Sequence, residues 1–409
     1  MTHDLVIAGA GPAGLMTAQK ASQHGLKVLL LERHQTLTDS LMGELVTQKA
    51  LSLLNVPDTS ECVVNRFKSI VGESLDTGSH IAVDRTLLGN SYLLDEDSCQ
   101  ELMRDRAVSN GAELKCQAKV DSVIKEGEQV VGVKYNGNQE SRASLTVGAD
   151  GSFSKVSSSA GFAHPRWLLS YGYRFKLEGC RIEDPHTAYF YVGRDVGLGY
   201  LWLYPRSESE TNLGIGRVPS SRLSWERLPP MKDVLMKYMR KHEETKNARI
   251  ANVNGGVVPC TGLIPSFTGA GVALCGNAAG QVSSIVGGGV TTCLHAGTLL
   301  AKHAKRMVEE NDYSRESTLL YEKEYRKSRL ARSIMNTGNG MYAVSKYAML
   351  NDPVAAAETV LSQLDASTLN DVIQGRLKAG TILSLMTDFL PLVVRIGAGY
   401  VKSVAITGV

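Results

Sequence analysis

Three glycines near the N-terminus, Gly9, Gly11 and Gly14, have the spacing of a loop that binds a diphosphate. Gly9 would permit a tight turn from strand to helix, and Gly11 would let the backbone approach the diphosphate. Gly14 would let the helix pack closely on the strand. Pro12 and Ala13 stand where that helix begins, and the N-terminus of a helix attracts anions. The spacing therefore predicts a dinucleotide site that includes all five residues.

The residues around this loop predict a strand, a helix and a second strand, in the order that such a site needs. Residues 4–8 and 27–31 are short apolar runs typical of buried strands, and a helical pattern lies between them. Glu32 ends the second strand, where a carboxylate can accept both ribose hydroxyls and would repel a 2′-phosphate. We therefore expect FAD or NAD rather than NADP at this site, with Arg33 as a further contact.

Residues 118–149 contain three strand patterns separated by glycine and asparagine turns, which predicts a β-meander. The last strand leads directly into Asp150 and Gly151. An apolar strand that ends in Ala-Asp-Gly resembles the DG motif of the glutathione-reductase-type FAD fold. This resemblance implies that FAD is the cofactor, with Val120, Asp150 and Gly151 among its contacts.

A second glycine-rich loop follows another apolar strand at residues 271–275. Its strand ends where the FAD fold usually carries an aspartate that holds the ribityl chain, and a helical pattern follows its GGGV run. The N-terminus of that helix would point at the pyrimidine end of the flavin and stabilise negative charge on the reduced ring. The expected contacts of this loop are Gly276, Asn277, Gly287, Gly288, Gly289 and Val290.

In this order, the motifs resemble the geranylgeranyl reductase family of flavoproteins, which is related in fold to the p-hydroxybenzoate hydroxylase type. Residues 199–216 resemble the YxWxFP…GxG segment of that family, with a tyrosine in the phenylalanine position. The resemblance covers the whole chain and implies a non-covalently bound FAD. It also implies a substrate-lining role for three aromatic residues, although their period of two equally fits one face of a half-buried strand: Tyr200, Trp202 and Tyr204.

The resemblance implies the reduction of isolated carbon–carbon double bonds in prenyl chains of lipids or quinones. Reduced flavin would deliver hydride from N5, and a proton would arrive at the other carbon, while the protein supplies an apolar tunnel. His295 is one candidate for the proton donor, but a buried, hydrogen-bonded helix histidine is the simpler interpretation. The catalytic acid therefore stays unknown. The electron donor stays open between NAD(P)H and ferredoxin or another reduced carrier.

Three positions depart from the pattern of the family and indicate a divergent member. Met42 stands in place of the cysteine in a CGEGL-like loop, so Met42 and Gly43 are the expected cofactor contacts there. Glu96 stands where an arginine is usual, and Gln100 is the expected substitute contact. Asn277 replaces the aspartate, and its amide can still hydrogen-bond a ribityl hydroxyl although it carries no charge.

Other functions are compatible with the same residues. A flavoprotein monooxygenase shares the fold, and an electron-transfer flavoprotein could deliver electrons to a quinone. A halogenase is disfavoured because the sequence has no WxWxIP segment. A flavin-free binding protein is supported only by Glu96 and Asn277. The aromatic segment and the GGGV run favour the reductase.

Composition and charge exclude several classes of protein. The chain of 409 residues is too long for a single core, and its net charge of +3 gives no support for nucleic-acid binding. Seven scattered cysteines without a CxxC pair are typical of free thiols in a reducing compartment, and they favour neither disulfides nor a metal site. The N-terminus shows no cleavable signal. We therefore expect a cytoplasmic protein without a metal, with peripheral contact to a membrane surface as an open alternative.

No uncharged apolar run reaches the roughly 18 residues of a membrane-spanning helix. The nearest approach is residues 381–401, which Asp388, Pro391 and Arg395 interrupt. This segment predicts a buried helix pair, with a lipid-facing surface as the alternative. The basic residues within 302–306 and 325–327 are typical of a solvated helix face and could otherwise meet anionic lipid.

These patterns together predict an α/β fold that is α+β overall. It comprises a glutathione-reductase-type FAD-binding Rossmann domain, an antiparallel-sheet substrate domain and a helical C-terminal region. The FAD domain is expected to be discontinuous, assembled from residues 1–75, 98–160 and 265–310. The substrate domain takes residues 76–97 and 161–264, and the helical region takes residues 311–409.

Overall fold

The computed structural model describes residues 3–37, 43–78, 80–84, 91–164, 168–218, 228–284, 287–335 and 338. Its contacts divide the chain into two compact units. Unit 1 contains residues 3–63, 94–164 and 258–338, and unit 2 contains residues 64–93 and 168–257, in each case within the described ranges. The predicted contact of Met42 and the predicted helix pair at 381–401 lie outside the described residues.

Three helices lie among the strands of the first third of the chain, and strands dominate the middle. The strands are β1 (His3–Ala8), β2 (Val28–Leu31), β3 (Leu45–Thr47), β4 (Val63–Phe67), β5 (Ser69–Ser74), β6 (His80–Asp84), β7 (Ser91–Leu94), β8 (Glu113–Lys115), β9 (Val120–Glu126), β10 (Gln129–Tyr135), β11 (Gln139–Gly148), β12 (Leu169–Glu178), β13 (Thr187–Val192), β14 (Gly199–Pro205), β15 (Glu210–Arg217), β16 (Arg249–Pro259), β17 (Thr268–Gly269) and β18 (Val272–Leu274). The helices are α1 (Pro12–Gln23), α2 (Gln48–Leu54), α3 (Glu96–Ser109), α4 (Lys155–Ala160), α5 (Met231–Lys241), α6 (Val290–Glu310) and α7 (Arg315–Lys327), with a 3₁₀ turn at Gly276–Ala279.

Unit 1 is built on a mainly parallel sheet with the strand order β17-β18-β11-β1-β2-β8. β1 lies in its middle and pairs in parallel with β2 and β11, and β11 pairs in parallel with β18. The side chains of residues 5–8 are completely buried, as the apolar run predicts for a central strand. The predicted β-meander is confirmed as β9, β10 and β11, which pair in antiparallel order. The predicted dinucleotide-binding fold is therefore confirmed.

Helices α1 and α6 of unit 1 cross at a glycine, which brings their backbones close together. A Cβ at Gly297 of α6 would lie 2.7 Å from the carbonyl oxygen of Ala13 and 3.0 Å from the Cβ of Met16. Any other residue at this position would force the two helices apart. The starts of both helices therefore have a fixed spacing.

Unit 2 contains a seven-stranded sheet with the order β16-β12-β15-β14-β13-β5-β6. The pairs β12–β15, β15–β14, β14–β13 and β5–β6 are antiparallel, as predicted, whereas β13 pairs in parallel with β5. The parallel pair arises because β5 enters from a distant part of the chain. One face of this sheet packs on α5, where Leu203, Leu213 and Leu235 belong to a single buried cluster.

Beyond residue 310, the described part of the predicted helical region contains α7 in unit 1. Its buried face includes Tyr321 and Tyr325, both completely buried. Within the described ranges, no helix has both the length and the apolar character required to cross a bilayer.

Candidate functional site

The predicted glycine loop lies between β1 and α1, and at two of its three glycines the packing leaves no room for a side chain. Gly9 has a φ of 95°, in the left-handed region, and a Cβ there would lie 2.5 Å from the carbonyl oxygen of Ala149. A Cβ at Gly14 would lie 1.9 Å from the carbonyl oxygen of Gly9. At Gly11, by contrast, a Cβ would meet no described atom within 4 Å. The backbone is therefore exposed to open space at Gly11.

The N-terminus of α1 presents backbone amides without a competing side chain. Gly11 is its N-cap residue, Pro12 opens the helix, no side chain caps it, and its first turn contains no acidic residue. The unpaired amides and the helix dipole make this end electropositive. Helix α3 differs, because Asp95 caps it through the Ser98 amide and Glu96 lies in its first turn. Glu96, the predicted departure from the family pattern, thus lies in the first turn of a helix, where a negative charge stabilises the helix.

The carboxylate of Glu32 is held in place by two backbone amides. Its Oε2 accepts the N–H of Ala10 at 2.8 Å, and its Oε1 accepts the N–H of His34 at 2.9 Å. A carboxylate has further acceptor capacity, so both oxygens can still accept ribose hydroxyls. The Arg33 side chain is exposed and donates from Nε to the ring of His34 at 3.0 Å. The acid is fixed at the end of β2, where the sequence predicts it.

The second glycine-rich loop meets the first at the start of α1. Gly276, with a φ of 69°, follows β18, and a Cβ there would lie 2.9 Å from the Cβ of Ala13. Asn277 comes next, and among the described residues its side chain has no hydrogen-bond partner. Its Oδ1 lies 3.5 Å from the position that a Cβ would take at Gly289. The predicted contacts of two loops more than 250 residues apart in the chain are thus brought together.

The N-terminus of α6 resembles that of α1, since it also lacks a side-chain cap and an acidic residue in its first turn. Gly289 is its N-cap residue. Gly287 has a φ of 62°, and the loop is closed by hydrogen bonds between Ser283 and both Gly287 and Gly288. A Cβ at Gly43 would lie 3.3 Å from Cγ2 of Val290, which places this predicted contact at the same helix end. Unit 1 therefore holds two uncapped, electropositive helix ends at its glycine loops.

The carboxylate of Asp150 is used within the protein. Its Oδ1 accepts the hydroxyl of Ser154 at 2.5 Å, and its Oδ2 accepts the N–H groups of Lys155 at 2.7 Å and Val156 at 3.1 Å. Burial raises the pKa of Asp150, whereas these hydrogen bonds oppose the rise. The acid of the DG motif thus holds the start of α4, and Gly151 beside it has a φ of 80°.

Gln100 and Val120 lie in the packed interior of unit 1. Gln100 is 1% exposed on α3, a helix that packs against α1, and Val120 is 7% exposed at the first position of β9. Gln100 is therefore close to the element that carries the first glycine loop. Its predicted cofactor contact remains a prediction.

His295 lies in the second turn of α6 and is half-buried. Within the described ranges its Nε2 has no hydrogen-bond partner, and its ring centroid is 5.8 Å from that of Tyr325. Burial, followed by the positive charge of Lys49, lowers the pKa of His295, and Glu324 opposes this effect. The ring is therefore neutral at pH 7, and the expected hydrogen bond to this histidine is absent from the described part of the chain.

Cys275 and Cys293 flank the second loop inside the core. Burial raises the pKa of each thiol to about 12. Both are therefore protonated core side chains rather than nucleophiles. The described residues contain no group of three or more side chains that could hold a metal ion.

The three predicted substrate residues share one face of β14 in unit 2. The ring centroids of Tyr200 and Trp202 are 5.8 Å apart, and those of Trp202 and Tyr204 are 6.0 Å apart. Phe190 of β13 contacts both tyrosines, at 5.3 and 5.5 Å. Tyr200 and Trp202 are half-buried, whereas Tyr204 is only 5% exposed. We call these four residues the aromatic face.

A glycine makes room for the indole ring of this face. A Cβ at Gly214, which pairs with Trp202 across the sheet, would lie 2.2 Å from Cζ2 of the indole. Two residues with such packing roles, Phe190 and Gly297, were missed by sequence reasoning. The sequence signal for Phe190 is an aromatic residue in a strand pattern, and that for Gly297 is a glycine inside a helical pattern.

These features suit an extended anionic dinucleotide. The open space at Gly11 can admit a diphosphate, the amides of α1 and α6 can bind negative charge, and Glu32 is fixed at the position expected for a ribose contact. Asn277 has an amide available for a hydroxyl group. The residues present therefore fit FAD.

Comparisons with known proteins agree with this geometry. Residues 2–177 match the family model of an FAD binding domain, and residues 169–258 match that of a geranylgeranyl reductase catalytic domain. A digeranylgeranylglycerophospholipid reductase from Thermoplasma acidophilum is 28% identical over 362 residues, which cover 86% of this chain and 89% of that protein. One from Methanothrix thermoacetophila is 29% identical over 338 residues, covering 80% and 84%.

Two solved structures have the same fold. A geranylgeranyl bacteriochlorophyll reductase-like protein from Thermoplasma acidophilum has a TM-score of 0.80 at 23% identity, covering 97% of this chain and 99% of that chain. A flavin-dependent brominase has a TM-score of 0.70 at 18% identity, covering 91% and 93%. The shared fold thus supports more than one flavin chemistry, and the catalytic-domain match favours reduction.

Proposed function

We propose that this chain, whose segments match an FAD binding domain and a geranylgeranyl reductase catalytic domain, reduces double bonds of prenyl chains with FAD and that its substrate is a glycerophospholipid with geranylgeranyl chains. The observation that carries the proposal is the aromatic face, which lies within the residues that match the catalytic domain. Relatives named for this lipid extend over most of the chain. The monooxygenase, electron-transfer and flavin-free alternatives have no comparable support.

Unit 1 would hold FAD through the groups that the two loops bring together. Gly11 and the first amides of α1 would bind the diphosphate, and Glu32 would accept ribose hydroxyls. Asn277 would bind a ribityl hydroxyl, and the amides at the start of α6 would stabilise negative charge. When bound, FAD supplies the hydride that reduces an isolated double bond.

The aromatic face of unit 2 would bind the prenyl chain. Tyr200 and Trp202 keep part of their ring surface exposed, while the buried Tyr204 and Phe190 support them from the side. Aromatic rings offer a large apolar surface and lose little conformational entropy when they bind. Such a surface would orient an apolar chain without a charged contact and would exclude water from it.

The proposed reaction is tested with the purified protein loaded with FAD and reduced anaerobically by dithionite. The substrate is a digeranylgeranylglycerophospholipid in detergent, and the products are analysed by mass spectrometry. We expect the lipid mass to rise by about 2 Da for each reduced bond. A protein that binds FAD and is reduced, but leaves this lipid unchanged while it reduces a prenylated quinone, would contradict the proposed substrate. Stopped-flow reduction by NADPH, NADH or reduced ferredoxin then identifies the electron donor.

The W202L variant tests the role of the aromatic face. It should raise the KM for the lipid by about tenfold, since the variant loses indole contact area, and should leave FAD affinity unchanged because Trp202 lies in unit 2. Phe175, which lies on the opposite face of the same sheet, supplies the control F175L. That variant should lower stability without a selective effect on KM. Equal effects of the two variants on KM would remove the argument for the aromatic face.

We further propose that the protein contacts the membrane that holds its lipid substrate through apolar groups rather than basic ones. Four basic groups of α6 and α7 are paired with carboxylates: Lys302 with Glu324, Lys305 with Glu309, Arg306 with Glu310 and Arg326 with Glu322. Ion pairing reduces their attraction to anionic lipid. Flotation with phosphatidylglycerol vesicles should therefore be insensitive to salt, whereas loss of binding at high salt would indicate a basic surface.

A further inference from the structure

One buried glutamine connects the second glycine loop to helices α6 and α7. Gln281 is completely buried, and each of its polar groups has a partner in the protein. Its side-chain Oε1 accepts the N–H of Gly276 at 2.6 Å, while its own N–H donates to the carbonyl oxygen of Gly276 at 3.0 Å. These two bonds close the loop that contains Asn277 into a ring.

The remaining two groups of Gln281 reach two different helices. Its Nε2 donates to the hydroxyl of Tyr321 on α7 at 3.1 Å, and that hydroxyl donates to the carbonyl oxygen of Leu274 at 3.3 Å. Its carbonyl oxygen accepts the hydroxyl of Thr292, in the first turn of α6, at 2.5 Å. Gln281 therefore links the end of β18, the start of α6 and the buried face of α7.

The chemistry of this position requires a glutamine. The Gly276 amide needs an acceptor and the Tyr321 hydroxyl needs a donor, and only a carboxamide of this length provides both. A carboxylate would lose the donor and bury a charge, and an apolar side chain would leave the Gly276 amide without a partner in the core. Either change costs more than the hydrogen bond itself contributes.

Gln281 holds two segments that are proposed to bind FAD, namely the loop at Gly276 and the start of α6. Gly276 packs so close to the first turn of α1 that a Cβ on it would lie 2.9 Å from the Cβ of Ala13, and Thr292 fixes the first turn of α6. A displacement at Gln281 would therefore move both uncapped helix ends relative to one another. The four polar groups of Gln281 already have hydrogen-bond partners within the protein, so none of them requires a contact with the cofactor.

We propose that Gln281 is a positioning residue for FAD, which sets the two helix ends in the arrangement that the bound cofactor requires. This inference rests on the proposed FAD site of unit 1. Gln281 acts through Gly276, Asn277 and the start of α6 rather than by contact with the flavin. Its loss should therefore change both the affinity for FAD and the redox behaviour of bound FAD.

The test compares variants of two tyrosines that differ in a single respect. Tyr321 and Tyr325 are both completely buried on α7, and both pack edge-on against Phe267. Only the Tyr321 hydroxyl bonds to Gln281, and within the described ranges the Tyr325 hydroxyl has no hydrogen-bond partner. Y321F thus breaks the connection, and Y325F is its matched control. Q281L removes the connection at its centre.

The dissociation constant of FAD is measured by flavin fluorescence quenching, and the midpoint potential by anaerobic titration against reference dyes. Q281L should weaken FAD binding by about tenfold to a hundredfold, and Y321F by about threefold to tenfold. Both should move the midpoint potential to more negative values, because α6 would stabilise negative charge on the reduced flavin less well. Y325F should match the wild type in both measurements.

Two outcomes would overturn the proposal in different ways. If Q281L and Y321F lower the melting temperature but retain wild-type affinity and potential, Gln281 serves the fold alone. If the wild type itself binds no FAD, the proposed function fails, and the role of Gln281 fails with it. Should Q281L not fold, the comparison of Y321F with Y325F decides the question.

Discussion

Glycine residues serve the two units in different ways. In unit 1, Gly9 and Gly14 allow one stretch of backbone to contact another, and Gly11 leaves open space beside a helix end. In unit 2, Gly214 and Gly216 lie beneath the indole ring of Trp202. The first pattern follows from the backbone geometry of one turn and has a fixed spacing. The second pattern depends on which residues face each other across two strands, so no fixed spacing along the sequence identifies it.

The largest effects are expected within the first loop, where the G14A and G11A variants should differ. In G14A the new Cβ would lie 1.9 Å from the carbonyl oxygen of Gly9, so we expect a loss of about 3 kcal/mol in unfolding free energy and loss of FAD binding. In G11A the Cβ meets no described atom within 4 Å, and φ is an ordinary −73°.

G11A should therefore fold with a stability within about 1 kcal/mol of the wild type, the usual cost of alanine at an N-cap. Its FAD affinity should nevertheless fall by about tenfold or more, because the methyl group occupies the space expected for the diphosphate. Urea denaturation and FAD fluorescence titration measure the two effects. Wild-type affinity in G11A would show that this space is not the binding site.

A smaller effect is expected for G214A in unit 2. The Cβ would displace the indole of Trp202, at a cost of about 1–3 kcal/mol in unfolding free energy. Tryptophan fluorescence should report a more exposed ring, and the KM for the lipid should rise while FAD affinity stays unchanged. G172A is the control, because a Cβ there would make an ordinary contact of 3.7 Å with Gly256. Equal effects of both variants would contradict the specific role of Gly214.

The N277D variant restores the acid that is usual at the second loop. A carboxylate beside the uncapped end of α6 should add about 0.3–1 kcal/mol of stability, because it interacts favourably with the helix dipole. It should also tighten FAD binding a few-fold. N311D, at the opposite end of α6, should destabilise the protein, since the dipole there repels an anion. Thermal unfolding of both variants measures this difference, and stabilisation by N311D would contradict it.

The smallest expected effect is a change of the unfolding free energy with pH, to which one half-buried histidine in each unit contributes. Burial lowers the pKa of His295 in unit 1 and of His242 in unit 2. Each ring therefore binds a proton less readily in the folded protein than in the unfolded chain, where it titrates near about pH 6.5. The free energy of unfolding should therefore fall as the pH drops from 7 to 5. H295L and H242L should each reduce that fall, and denaturation curves at both pH values would show it. A pH dependence unchanged in both variants would contradict the assignment.

The parts of the molecule that a short stretch of sequence determines could be predicted. The turn at Gly9, the helix after Gly11 and the position of Glu32 all follow from local geometry, and the structure has them as expected. The meander also follows from local turns and alternating strands. In each of these features, the interacting residues lie within a few tens of residues of one another in the chain.

The role of a side chain could not be predicted where several kinds of partner were available to it. Asp150 at the end of a strand predicts a cofactor contact, and in the structure its carboxylate accepts hydrogen bonds from Ser154 and from two backbone amides within six residues downstream. The period of two in β14 did not distinguish the buried Tyr204 from the half-buried Trp202, because the neighbouring strands decide this. Gln281 belongs to the second glycine-rich loop, but its role could not be predicted, because two of its partners, Thr292 and Tyr321, lie on the two helices that follow.

The strand order of unit 1 has a consequence for synthesis on the ribosome. Ala8 pairs with Gly148, and Gly148 pairs with Leu274, so the central sheet joins segments that emerge at very different times. At about 5–20 residues per second, roughly 10–50 s separate the appearance of the first and last of these strands. Until β11 emerges β1 has one unpaired apolar edge, and until β18 emerges β11 has one. Slow translation lengthens this exposure and should therefore increase the demand of this protein for chaperones.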